Sequence, residues 1–121
     1  LMQIEEIQGR AAGYDEQLKM VDTQLSELES FRKSVEAIDK NHNKEILASI
    51  GKGVFMPAEI KDRSLFVEVG SGVFVKKTLA ETMQVAEHQL QKLGEMRMYL
   101  GSEMNLINSE MHELIKKVQK N

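Results

Sequence analysis

The sequence predicts an α+β fold: a long antiparallel two-helix coiled coil with two central β-hairpins that join an oligomeric β-barrel body. Three observations predict it. Apolar residues recur at alternating steps of three and four toward both ends of the chain, the a/d spacing that keeps one helix stripe against a partner helix. Between them the pattern changes to short apolar runs around two glycine turns. Only one proline, Pro57, stands among 121 residues, where average usage of roughly 5% gives about six. Long stretches therefore run without a helix breaker.

The first element is a helix within residues 1–43. Its seam is Ile4, Ile7, Ala11, Tyr14, Leu18, Val21, Leu25 and Leu28. The next apolar residues are Phe31, Val35 and Ile38, and the successive three-residue steps from Leu25 to Leu28 to Phe31 predict a stammer, a local overwinding. Asn41-His42-Asn43 is expected to end this helix. Residues 44–78 follow as an assembly region. Ile46–Ile50 and Val54–Ile60 read as strands around Gly51-Lys52-Gly53, and Leu65–Val69 and Val73–Lys77 repeat the pattern around Gly70-Ser71-Gly72. Three of the four Phe residues, Phe55, Phe66 and Phe74, lie here.

Strand period puts Leu65, Val67 and Val69 on one face and Phe66 and Glu68 on the other. Large apolar groups on both faces, together with unpaired edges, predict burial against other subunits. The candidate interface is Ile50, Val54, Phe55, Ile60, Leu65, Phe66, Val67, Val69, Val73, Phe74 and Val75. The alternative is that the helix bases fold over the sheet.

The last element spans residues 79–121. Thr78-Leu79-Ala80-Glu81 reads as a capping box at its start. The seam then runs through Leu79, Met83, Ala86, Leu90, Leu93, Arg97, Leu100, Met104, Ile107, Met111, Leu114 and Val118, with Arg97 its one polar member. Each helix of about 40 residues is ~60 Å long, against a radius of gyration of ~14 Å for a compact chain of this size. An elongated protein is expected. Antiparallel helices bring both termini to one end, where Leu1, Met2, Ile4, Ile7, Met111, Leu114, Ile115 and Val118 form an apolar tip. Fraying exposes seam residues there, and flexible Met suits varied apolar partners. Met2, Met20, Met96 and Met98 stand off the seam, as do the helix-interior glycines Gly9, Gly13, Gly94 and Gly101.

Composition narrows the function. The absence of Cys excludes a disulfide scaffold, a thiol nucleophile and Cys-ligated metal sites. Sixteen basic against nineteen acidic residues, a net charge of -3, give no electrostatic case for nucleic acid. No run approaches the ~20 apolar residues of a membrane span. Glu5, Glu6 and Arg10 interrupt what a signal peptide would need, so a soluble, cytoplasmic protein is expected, and the start at Leu1 reads as a trimmed chain. Gly51-Lys52-Gly53 lacks the context of a phosphate loop. His42, His88 and His112 are scattered, and Glu110 and Glu113 beside His112 read as a solvated helix face. Neither catalysis nor a metal or cofactor is expected.

The segments Ile50-Gly51-Lys52-Gly53-Val54-Phe55-Met56-Pro57-Ala58-Glu59-Ile60-Lys61-Asp62 and Val67-Glu68-Val69-Gly70-Ser71-Gly72-Val73-Phe74-Val75-Lys76-Lys77-Thr78, set between two coiled-coil helices, resemble an α-class prefoldin subunit. The second segment follows the family's V-x-V-G-x-G run, then an aromatic residue or Val and x-V-x-K-T, with Val73 at the variable position, and two hairpins rather than one mark the α class. Glu59 stands where many relatives carry a small residue. The resemblance implies a single prefoldin-like domain over 1–121, in a hexamer of two α-class and four β-class subunits. It also implies ATP-independent binding of unfolded polypeptides at the arm tips and transfer to a group II chaperonin. The rival is a coiled-coil scaffold that only tethers. A polymerase-probing coiled coil fits poorly, because residues 44–78 carry six basic and four acidic side chains where such proteins have acidic tips.

Overall fold

A computed structural model describes residues 2–40 and 44–120. In chain order the elements are α1 (Met2–Lys40), β1 (Glu45–Gly51), β2 (Val54–Glu59), β3 (Leu65–Gly70), β4 (Val73–Lys77) and α2 (Leu79–Lys120). The expected helix end at Asn41-His42-Asn43 lies outside the described residues. The chain divides into two compact units: one takes α1 through Glu29 and α2 from Gln89, the other Ser30–His88.

In the first unit the helices pair antiparallel. Arg10 Nη1 meets Glu110 Oε2 at 3.2 Å, and Arg97 Nε meets Asp22 Oδ1 at 2.6 Å. As position advances along α1, its partner recedes along α2, which only antiparallel helices do. Ile7, Val21, Leu100 and Ile107 are buried, and the other seam residues of α1 are half-buried. Arg97 solves its place in the seam by turning outward to Asp22. A methyl group added at Gly9, Gly13, Gly94 or Gly101 meets nothing within 4 Å, so no close approach requires these glycines.

The second unit corrects the stammer. Phe31 is 45% exposed, whereas Arg32 is half-buried and Val35 buried. The seam thus steps from Leu25 to Leu28, Arg32 and Val35 without losing its three-four alternation. The physical reason is the arginine stem. A long aliphatic stem covers apolar surface well; here even Arg32 Nε is buried, and Nη1 lies 3.9 Å from Glu36 Oε1.

Both helix ends in this unit are tied down. Arg63 Nη1 donates to the Ile38 carbonyl, satisfying one of the acceptors that a helix C-terminus leaves open. At the start of α2, the Glu81 N–H donates to Thr78 Oγ1 at 3.0 Å and the Thr78 N–H points back to Glu81 Oε1 at 3.4 Å. This is the reciprocal capping box the sequence predicts. Thr82, buried beside Leu79 and Ala86 in the sequence of the first turns, donates its hydroxyl to the Thr78 carbonyl at 3.0 Å.

Each hairpin is a separate two-stranded antiparallel sheet. Lys52 and Gly53 have φ of 52° and 75°, and Ser71 and Gly72 have 51° and 74°. Left-handed backbone at both central positions is the type I′ turn, whose twist matches that of the strands. A 19-residue offset superposes Gly51-Lys52-Gly53-Val54-Phe55 on Gly70-Ser71-Gly72-Val73-Phe74, and each hairpin carries a register shift just before its turn, between Ser49 and Gly51 and between Glu68 and Gly70. Val69, expected on the face of Leu65 and Val67, falls at that shift and is exposed. The connector between hairpins is held by an Asp62 carboxylate that accepts from the Ser64 N–H at 2.8 Å and lies 3.7 Å from Lys76 Nζ.

Candidate interaction surfaces

Within the first unit, seven of the eight predicted tip residues can be placed; Leu1 lies outside the described residues. Met2 is 84% exposed, Val118 58% and Ile115 41%. Ile4, Met111 and Leu114 are half-buried, and Ile7 is buried in the seam. Ile7 and Leu114 come together with Leu106 along one open groove of about 550 Å³, edged by Glu6, Arg10 and Glu113. Leu106 escaped the sequence reading. Its signal was available, since an apolar residue between seam positions Met104 and Ile107 has no covered place to go. The off-seam Met20, Met96 and Met98 are also exposed, while the seam residues Met83, Met104 and Met111 are half-buried. Tyr99 is exposed as well, its phenol pushed above its ordinary pKa by Glu103 and then by Tyr14.

Within the second unit, strand alternation sorts each hairpin into two faces. Ile46 and Ala48 of β1 and Ala58 of β2 are half-covered, while Leu47, Phe55 and Pro57 are open. Leu65 and Val67 of β3 are half-covered, while Phe66 and Phe74 are open. Leu47 and Phe66, related by the 19-residue offset, are both 68% exposed. Of the predicted interface residues, Ile60, Leu65 and Val67 are half-buried; Ile50, Val54, Phe55, Phe66, Val69, Val73, Phe74 and Val75 are exposed. Leu47 and Met56 are exposed too and were missed by the sequence reading. An isolated hairpin is marginal in water, and a contiguous apolar patch marks an interaction surface.

A family model described as "Prefoldin subunit" matches residues 7–121. The chain belongs to the prefoldin family. It is similar to the prefoldin subunit alpha of Methanosphaera stadtmanae, 28% identical over 80 residues, 66% of this chain and 58% of that protein. The match thus spans little more than half of that relative's length. It is also similar to the prefoldin subunit alpha of Archaeoglobus fulgidus, 25% identical over 108 residues, 82% of this chain and 79% of that one. A chain of the filamentous PFD from Methanocaldococcus jannaschii, solved by cryo-EM, shares the fold with a TM-score of 0.76 at 15% identity, covering 97% of this chain and 99% of that one. Two hairpins between two long helices, and relatives that are both alpha subunits, place this prefoldin in the α class. Membership of this family makes the chain a chaperone-type subunit. Among the described residues no helix is long and apolar enough to cross a membrane.

Proposed function

We propose that this prefoldin subunit is an ATP-independent holdase, acting as one functional domain over residues 1–121. The observation that carries the reading is the exposure of Met2, Ile115 and Val118 toward the outer ends of the two helices, the same ends whose Ile7, Leu106 and Leu114 line an open groove. Each apolar contact is worth about 1–3 kcal/mol when fully buried. Several arms acting together turn such weak contacts into useful capture while leaving release easy. The hairpins assemble the subunit into a cytoplasmic hexamer of two α-class and four β-class chains, and captured polypeptides pass to a group II chaperonin. The open faces around Leu47, Phe55, Phe66 and Phe74 support assembly through this region.

The test is suppression of aggregation of a denatured model protein by the assembled complex. Removing residues 1–8 and 111–121 is expected to abolish most of the protection while native mass measurement still finds the complex. Full protection after truncation refutes capture at the tips. An intact complex that never suppresses aggregation supports the tethering scaffold instead.

A further inference from the structure

The walls of the groove at the outer ends of α1 and α2 have a helical period. Glu6 and Arg10 on α1, and Leu106, Glu110, Glu113 and Lys117 on α2, follow one another at steps of three and four. Counted from the seam, they hold c and g positions of the heptad on both helices. The bridge between Arg10 and Glu110 shows that the two rows border the same flank. The seam residues Ile7 and Leu114 line the groove from inside. Two such rows over an apolar floor are what a helix pair offers to a third helix, whose side chains repeat at the same spacing. From Leu106 to Lys117 the groove runs about 16 Å, three helical turns. Its charges are uneven. Arg10 and Glu110 neutralise each other at 3.2 Å. Extended by three residues, that pairing sets Glu113 level with Ile7, and the Arg97–Asp22 pairing sets it level with Glu6. Two carboxylates therefore face each other across the groove, and among the described residues neither has an ion pair or hydrogen bond. Lys117 stands one turn further out. Two turns inward, Leu106 is 59% exposed, and by the Arg97–Asp22 register it is level with Gly13, a c residue with no side chain to cover it.

We infer that this groove holds a segment of an unfolded polypeptide as a third helix, with apolar residues on Leu106, Ile7 and Leu114 and a lysine or arginine between Glu6 and Glu113. The inference rests on the proposed capture at the tips and names the class of segment captured: amphipathic helices whose apolar stripe is bordered by cations. Unfolded chains keep fluctuating helices that such a groove can select. Charge complementarity singles out this occupant. An apolar segment without a cation leaves the two carboxylates facing each other, and an acidic segment adds a third like charge. The competing occupant is a second copy of this chain, whose own Ile115, Lys116, Val118 and Lys120 make a basic apolar end.

Fluorescence anisotropy of labelled peptides of about 18 residues, five helical turns, titrated with the complex of the full chain and a β-class prefoldin subunit, tests this. One peptide carries apolar residues at three-four spacing bordered by lysines. A second has glutamates in place of the lysines, and a third scrambles the first so that no apolar stripe remains. The first is expected to bind about tenfold tighter than the second and to gain helical circular dichroism on binding. Glu6→Gln together with Glu113→Gln is expected to reduce that preference about threefold or more, and Leu106→Asp to weaken binding of the first peptide about fivefold. Equal binding of the first two peptides, or a preference that the paired Gln substitutions leave intact, overturns the inference. So does a scrambled peptide bound as tightly as the first, or binding without gain of helix. If no peptide binds while the complex still suppresses aggregation of a denatured protein, the inference fails and capture at the tips stands. If both fail, the capture reading falls with it. A native mass that doubles with concentration, and is restored by Leu106→Asp, puts a second copy in the groove and overturns the occupant.

Discussion

Arg32 occupies a position where the seam asks for an apolar side chain, and Phe31 beside it faces outward. The mismatch explains why the sequence suggested a stammer: apolar identity was equated with burial, although a long cationic stem buries its methylenes well. Polar groups at seam positions fix register at a cost in stability. Arg32→Leu is therefore expected to stabilise the chain by about 1 kcal/mol in urea denaturation. A second residue-level expectation concerns the turns. Lys52 and Ser71 hold left-handed backbone without being glycine, a conformation that costs most L residues about 1–2 kcal/mol. Asn tolerates it better and completes the Asn-Gly pair favoured in type I′ turns. Lys52→Asn and Ser71→Asn are each expected to raise hairpin stability by about 0.5–1 kcal/mol, read from the thermal midpoint.

Among the elements, helices and hairpins were legible because their signals are local: heptad spacing, the Thr78–Glu81 cap and two G-x-G turns. Strand edges moved by a single residue, β1 beginning at Glu45 and β2 ending at Glu59. Less legible was what joins the elements. Arg63 reaching back to the Ile38 carbonyl is a contact across 25 residues that no periodicity announces. The Asp62 connector is similar. Its carboxyl pKa is lowered chiefly by the Ser64 backbone N–H, then by the Ser64 side chain and by the charge of Lys76. A carboxyl pKa below its unfolded value gives stabilisation that is present above about pH 4 and lost as pH falls through the folded value. The Ser64 amide resonance is thus expected to shift in a titration below about pH 4, and Asp62→Asn to remove that shift. At the tip, the exposure of Met2 and Ile115 could be read from seam geometry, whereas the Leu106 groove depends on which residues of α1 lie opposite α2.

For the whole chain, the distances in sequence between bonded partners set an order. The β-hairpins close over two residues, Asp22 meets Arg97 across 75, and Arg10 meets Glu110 across 100. Native-state hydrogen exchange is expected to follow the same gradient, with slower exchange around Val21 and Leu100 than around Ile4 and Leu114. Uniform exchange along both helices would contradict it. The salt bridge between Arg10 and Glu110 carries a kinetic consequence. Joining two residues so far apart in an open chain is slow, because loop-closure entropy must be overcome before any contact rewards it. Hairpins form within about 1–10 μs and turn that long search into a series of short steps, each extending a pairing already made. The apolar ends are then the last part of the chain to order during refolding and the first to loosen, so the residues proposed to hold unfolded partners are themselves the latest to fold.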